Sequence, residues 1–161
     1  MSHSVTITRT TTSTTNTSYI VLNTGYLKSF PGILKLFELI IGAANVGILA
    51  YNFEDSHRHY FYGQQDLFHY LMSVTFMIGT FCLLLACLTS LSTGGIIAKT
   101  IYELIYHSVA AILILVSSTV LLLKLRDVKH DAYMAAGVLG LVNAVLYFIS
   151  AFLAHRSYRG I

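Results

Sequence analysis

Apolar residues run along this chain in four long blocks, at about 30–53, 67–91, 101–123 and 132–154, parted by short polar segments. Each block is long enough to supply the roughly 20 residues a helix needs to cross a hydrocarbon core. The short connections predict that consecutive helices are neighbours of opposite direction. The expected fold is therefore all-α, an integral membrane bundle of four antiparallel transmembrane helices. A Ser/Thr-rich tail over 1–25 has little to bury and is expected to be disordered. The four-helix domain should occupy 26–157, followed by a short tail over 158–161.

The polar residues inside the blocks keep helical spacing. Lys35, Glu38, Gly42, Asn45 and Leu49 follow steps of three and four, which predicts one stripe on the first helix. Glu103, His107, Ala110, Ile114 and Ser117 do the same on the third, and Ala136, Gly140, Asn143, Tyr147 and Ser150 on the fourth. Lys35 and Glu38 lie roughly 8–12 Å into the membrane at 1.5 Å per residue. Glu103 lies near the same surface and His107 one turn deeper. Lys35, Glu38 and Glu103 are therefore expected to meet as an ion cluster in which Glu38 partners Lys35. Asn45 and Asn143 fall near the midplane, where each needs an internal partner. No relay of ionisable groups is expected to continue into the other half.

Ionisable groups at such depth are functional suspects. The competing expectation is structural: Lys35 snorkels towards the headgroups, the acids pair with cations, and the cluster fixes helix packing. Gly42, Gly47, Gly140 and Ala144 let helices approach closely, either within the bundle or between chains.

Composition agrees with the pattern. The 161 residues are 55% hydrophobic and 11% charged, and mean hydropathy is +0.69. A soluble domain usually carries about 25% charged residues. The formal charge of +3 is scattered, unlike the clustered basic face that nucleic-acid binding requires. No secretory signal is evident, so the spans themselves are expected to direct insertion.

Chemistry is thinly represented. Cys82 and Cys87 lie in one apolar block, five apart, and point to different faces. The loops hold no disulfide framework, which argues against tetraspanin-like and claudin-like proteins. Cys87 is a candidate palmitoylation site, with a plain buried residue as the alternative. His57, His59 and His69 lack the ligand number and spacing of a metal site and are expected to be solvated. No nucleophile and base come with an orienting third group, so no enzyme and no cofactor is expected. Tyr158 to Ile161 fits a tyrosine-based sorting signal.

Arg9, Lys28, Lys99, Arg156 and Arg159 fall on the side of the termini, against Arg58, Lys124, Arg126 and Lys129 on the other. With the unsignalled N-terminus, this bias places both termini in the cytosol. The sequon at Asn16 would then stay unmodified. Tyr51, Tyr60, Phe61 and Tyr62 read as an interfacial aromatic belt.

The stretch from Tyr26 to Leu49, YLKSFPGILKLFELIIGAANVGIL, has a Pro-Gly at the start of a span bearing Lys and Glu. It resembles the MARVEL domain, and most of all the chemokine-like-factor, plasmolipin and myelin-and-lymphocyte group. The fourth span, Gly137 to Ser157, is similar in its central Asn143 and basic exit. The resemblance implies four helices, cytosolic termini, and a part in membrane apposition, vesicle transport or ordering of cholesterol-rich lipid. Partners would be lipids, other membrane proteins or a second copy, at the plasma membrane or on transport vesicles. The rival expectation is a small ion or proton channel using Glu38, Glu103 and His107.

Overall fold

The computed structural model describes residues 23–55, 63–89, 93–97, 100–125 and 131–160. A 3-10 turn, Thr24–Lys28, precedes α1 (Phe30–Asp55). Then come α2 (Gly63–Thr89), a short α3 (Thr93–Ile97), α4 (Ile101–Lys124) and α5 (Asp131–Arg159). Four of these helices are long and apolar enough to cross a membrane.

The Ser29-Phe30-Pro31 step explains where α1 begins. Ser29 is extended, and its hydroxyl accepts the Gly32 N–H at 3.3 Å while donating to the Tyr26 carbonyl at 2.6 Å. It is thus an N-cap serving the third helical residue. Pro31 sits in the first turn, where its missing N–H is no loss. At the other end of the 3-10 segment, the Asn23 N–H donates to the Leu88 carbonyl at 2.7 Å, tying this turn to the end of α2.

Rising residue numbers on one helix meet falling numbers on the next. Asn45 of α1 meets His69 and Ser73 of α2, and Gly42 faces Met77. On α2 and α4, Thr80 meets Tyr106 and His69 meets Ser117. Gly137 and Gly140 of α5 lie against Leu122 and Ser118 of α4. This is the order that up-down packing produces.

The bundle is polar inside and apolar outside. Phe37, Ile40, Ile78, Ile112, Val145 and Phe148 are exposed, whereas Lys35, Glu38, Asn45, His69 and His107 are at most 1% exposed. In lipid the outer surface carries no hydrophobic penalty, so packing and internal hydrogen bonds hold the helices together. Two apolar clusters flank the polar ones, around Phe76, Ile114 and Tyr147 and around Leu49, Leu121 and Tyr133.

α2 departs from the sequence expectation. It starts at Gly63, a turn before the apolar block. Asp66 and His69 are therefore helical and buried, at 2% and 0% exposure, and neither is a solvated loop residue. Asp66, His69, Ser73, Phe76, Thr80 and Cys87 are all buried on that helix.

Candidate functional site

All five positions of each expected stripe on α1, α4 and α5 are buried. They meet along the bundle axis. In the half nearer the chain termini, the Lys35 ammonium donates to the Glu103 carboxylate across the α1–α4 contact. Lys35 therefore pairs with Glu103 and not, as the sequence suggested, with Glu38. Residues 35 and 38 share a helix and both point inward, so each reaches across to a neighbouring helix before it reaches the other. Tyr26 folds over the pair, its ring centroid 5.9 Å from Lys35 Nζ, within cation–π range. Burial pushes the Tyr26 phenol up to about 12, against the opposing pull of Lys35. A shallow cleft lined by Pro31, Lys35, Glu103, Ser150 and Ser157 reaches the pair.

One turn deeper, Glu38 is 0% exposed. Its Oε1 accepts the Ser150 hydroxyl of α5 at 2.5 Å, and its Oε2 lies 3.8 Å from His107 Nε2. The His107 Nδ1–H donates to the Glu103 carbonyl at 2.8 Å. Beside His107 the hydroxyls of Tyr106 and Tyr147 both donate to the Phe76 carbonyl, and Thr80 joins them at 3.0 and 2.7 Å. These bonds tie α2, α4 and α5 at one level.

The polar interior does not stop there. Asn45 Nδ2 bonds His69 Nε2 and Ser73, both at 3.1 Å. His69 Nδ1 reaches Ser117 Oγ at 3.1 Å, and Ser117 in turn donates to the Ile114 carbonyl. Near the far end Lys124 donates to Asp66 at 3.0 Å. Ionisable side chains are thus buried in the other half as well: Asp66, which the sequence put in the first loop, and His69, which was expected to be solvated. Asn45 finds the partner it needs. Asn143 is 4% exposed, its amide nitrogen near Gly42.

A family model described as the membrane-associating MARVEL domain matches residues 26–153. The chain belongs to the MARVEL family. No curated protein and no solved structure matches it.

Within this MARVEL bundle the small residues divide. Gly140 permits a close approach of α5 to α4 and α2: a Cβ there would lie 2.2 Å from Ser118 Oγ and 2.6 Å from His69 Cε1, so those side chains would have to shift. Gly42 and Ala144 are buried in the same interior. Gly47 is not a packing residue of the bundle, since it is exposed and has nothing within 4 Å of its virtual Cβ. Glycine alone does not reveal which helix face it occupies. Gly79, whose virtual Cβ would meet the Tyr106 hydroxyl at 2.6 Å, escaped the sequence reading.

Cys87 of the MARVEL fold is 1% exposed, interacting with the Tyr26 phenol. That burial speaks against palmitoylation of the folded chain; the exposed cysteine of α2 is Cys82. Tyr158 is exposed at the end of α5, whereas Ile161 lies outside the described residues. So do His57, His59, the sequon at Asn16 and most of the N-terminal tail. Among the described residues no three His, Cys, Asp or Glu side chains are grouped to hold a metal ion.

Proposed function

We propose that this MARVEL chain is a non-enzymatic multi-pass protein that organises membrane domains, membrane apposition or vesicle traffic through helix–helix and helix–lipid contacts. The observation that carries this reading is the division of surfaces. Ionisable and amide side chains are buried between the helices, while large apolar side chains such as Phe37, Ile40, Phe148 and Phe152 face outward. Such a surface has lipid chains and other transmembrane helices as its partners. Cholesterol-rich lipid, other membrane proteins and a second copy of the chain are the partners in this reading, with no nucleic acid and no cofactor involved. The chain then acts at the plasma membrane or on transport vesicles with both termini cytosolic, as a relative of the plasmolipin and myelin-and-lymphocyte proteins.

The test is reconstitution into giant vesicles with coexisting ordered and disordered lipid phases. Enrichment in one phase or at the boundary, with domain size changing as protein density rises, is the expected result. Even distribution with unchanged domains overturns the reading.

A second reading, a small ion or proton channel using Glu38, Glu103 and His107, is favoured by the continuation of buried polar side chains to His69 and to Asp66 with Lys124. Liposomes holding a pH-sensitive dye separate the two. Proton flux above that of empty liposomes, lost in Glu38→Gln, replaces the first reading.

A further inference from the structure

Two facing atoms in the terminal half of the bundle lack a hydrogen-bond partner: Glu38 Oε2 and His107 Nε2. They are 3.8 Å apart, and both side chains are 0% exposed. The Glu103 carbonyl can only accept, so the hydrogen on His107 lies on Nδ1. A neutral His107 in that tautomer turns a bare lone pair towards the carboxylate. Two acceptors at that distance repel unless a proton lies between them. A bridging water does not fit, because two hydrogen bonds of about 2.8 Å meeting at one oxygen hold their ends about 4.4 Å or more apart.

The sum of charges leads to the same place independently. Lys35 and Glu103 neutralise each other. An ionised Glu38 beside a neutral His107 leaves the buried cluster with one net negative charge, which a low-dielectric interior penalises heavily. One added proton makes the cluster neutral. His69 supplies the contrast: its Nδ1 donates to Ser117 and its Nε2 accepts from Asn45, so both nitrogens are satisfied without an extra proton.

We infer that Glu38 and His107 form a buried proton-binding site, holding one proton between Glu38 Oε2 and His107 Nε2. The groups around it come from every packed element. α1 supplies Lys35; α4 supplies Glu103 and Tyr106; α5 supplies Tyr147 and Ser150. α2 presents Phe76 and Thr80 at this level, and its His69 and Asp66 lie in the other half. The proton comes from water on the side of the termini, where the cleft reaches Lys35, Glu103 and Ser150. Its loss sets a full carboxylate against a lone pair and loosens α1 from α4, which links helix packing to the pH on that side. This site holds its proton whether the chain organises lipid or conducts ions.

The experiment is solid-state nuclear magnetic resonance on the full chain in phosphatidylcholine vesicles, with labelled histidine nitrogens and glutamate carboxyl carbons. Near neutral pH the expected result is either a protonated Glu38 carboxyl or a His107 ring protonated on both nitrogens. On raising the pH the two signals should change in a single step, as one site. An ionised Glu38 facing a bare Nε2 at neutral pH overturns the inference, as do two separate steps. These readings need only the wild-type chain. Glu38→Gln adds that His107 should stay neutral, its Nε2 accepting from the new amide; a ring still protonated on both nitrogens counts against the site.

Discussion

Replacing Glu103 by Ala strips the Lys35 ammonium of its hydrogen-bonded carboxylate while leaving it at a position that is 1% exposed. Removing one partner of a fully buried pair costs about 3–5 kcal/mol. Here the loss is smaller. Lys35 lies one to two turns into α1, the cleft reaches it, and its flexible stem can carry the ammonium towards the surface past Tyr26. A loss of about 2–3 kcal/mol follows, roughly a thirty- to hundred-and-fifty-fold shift in the unfolding equilibrium. Lys35→Met combined with Glu103→Met removes both charges and should return most of that stability. The coupling between the two sites should be about 2 kcal/mol. The chain contains no Trp, so far-ultraviolet circular dichroism during titration of mixed micelles with sodium dodecyl sulfate is the suitable readout. A parallel Lys35→Met, Glu38→Gln pair should be nearer to additive, because Glu38 bonds Ser150. Glu103→Ala within about 0.5 kcal/mol of wild type, or strict additivity of positions 35 and 103, refutes the argument.

Gly140→Ala should destabilise by about 1–3 kcal/mol through overpacking against Ser118 and His69, whereas Gly47→Ala should be neutral or slightly stabilising. Equal effects in the same titration would show that the α4–α5 approach is looser than described. His69→Leu should cost about 1–3 kcal/mol by leaving Asn45 and Ser117 without their partner; an Asn45→Leu, His69→Leu pair should cost less than the sum, and an additive result contradicts the network. Cys87 should resist a membrane-permeant maleimide in native vesicles and react only after denaturation, as tandem mass spectrometry of the tryptic fragment 59–99, which carries both cysteines, would reveal. Prior labelling of Cys87 would show that Tyr26 does not cover it.

Length and periodicity alone determined the helical architecture. Four apolar blocks of spanning length admit few arrangements in lipid, because every backbone N–H and C=O must be satisfied within the helix. The inward faces of α1, α4 and α5 were also legible, since polar and small residues at steps of three and four define a stripe whatever they touch. The same spacing was present in α2, from Asp66 through His69, Ser73, Phe76 and Thr80. It was obscured because the helix begins in a polar segment that hydropathy assigns to the loop. Partner choice was not legible. Lys35 has two acids at similar depth, Glu38 and Glu103, and spacing along one helix cannot say which of them a side chain reaches across an interface. Nor does a glycine in the sequence tell whether its bare face meets another helix, as at Gly140, or lipid, as at Gly47. Those outcomes depend on the rotation of each helix about its own axis. Side-chain packing between helices sets that rotation, so only the tertiary structure decided which buried charges were paired and which buried atoms, such as Glu38 Oε2 and His107 Nε2, faced each other without a hydrogen bond.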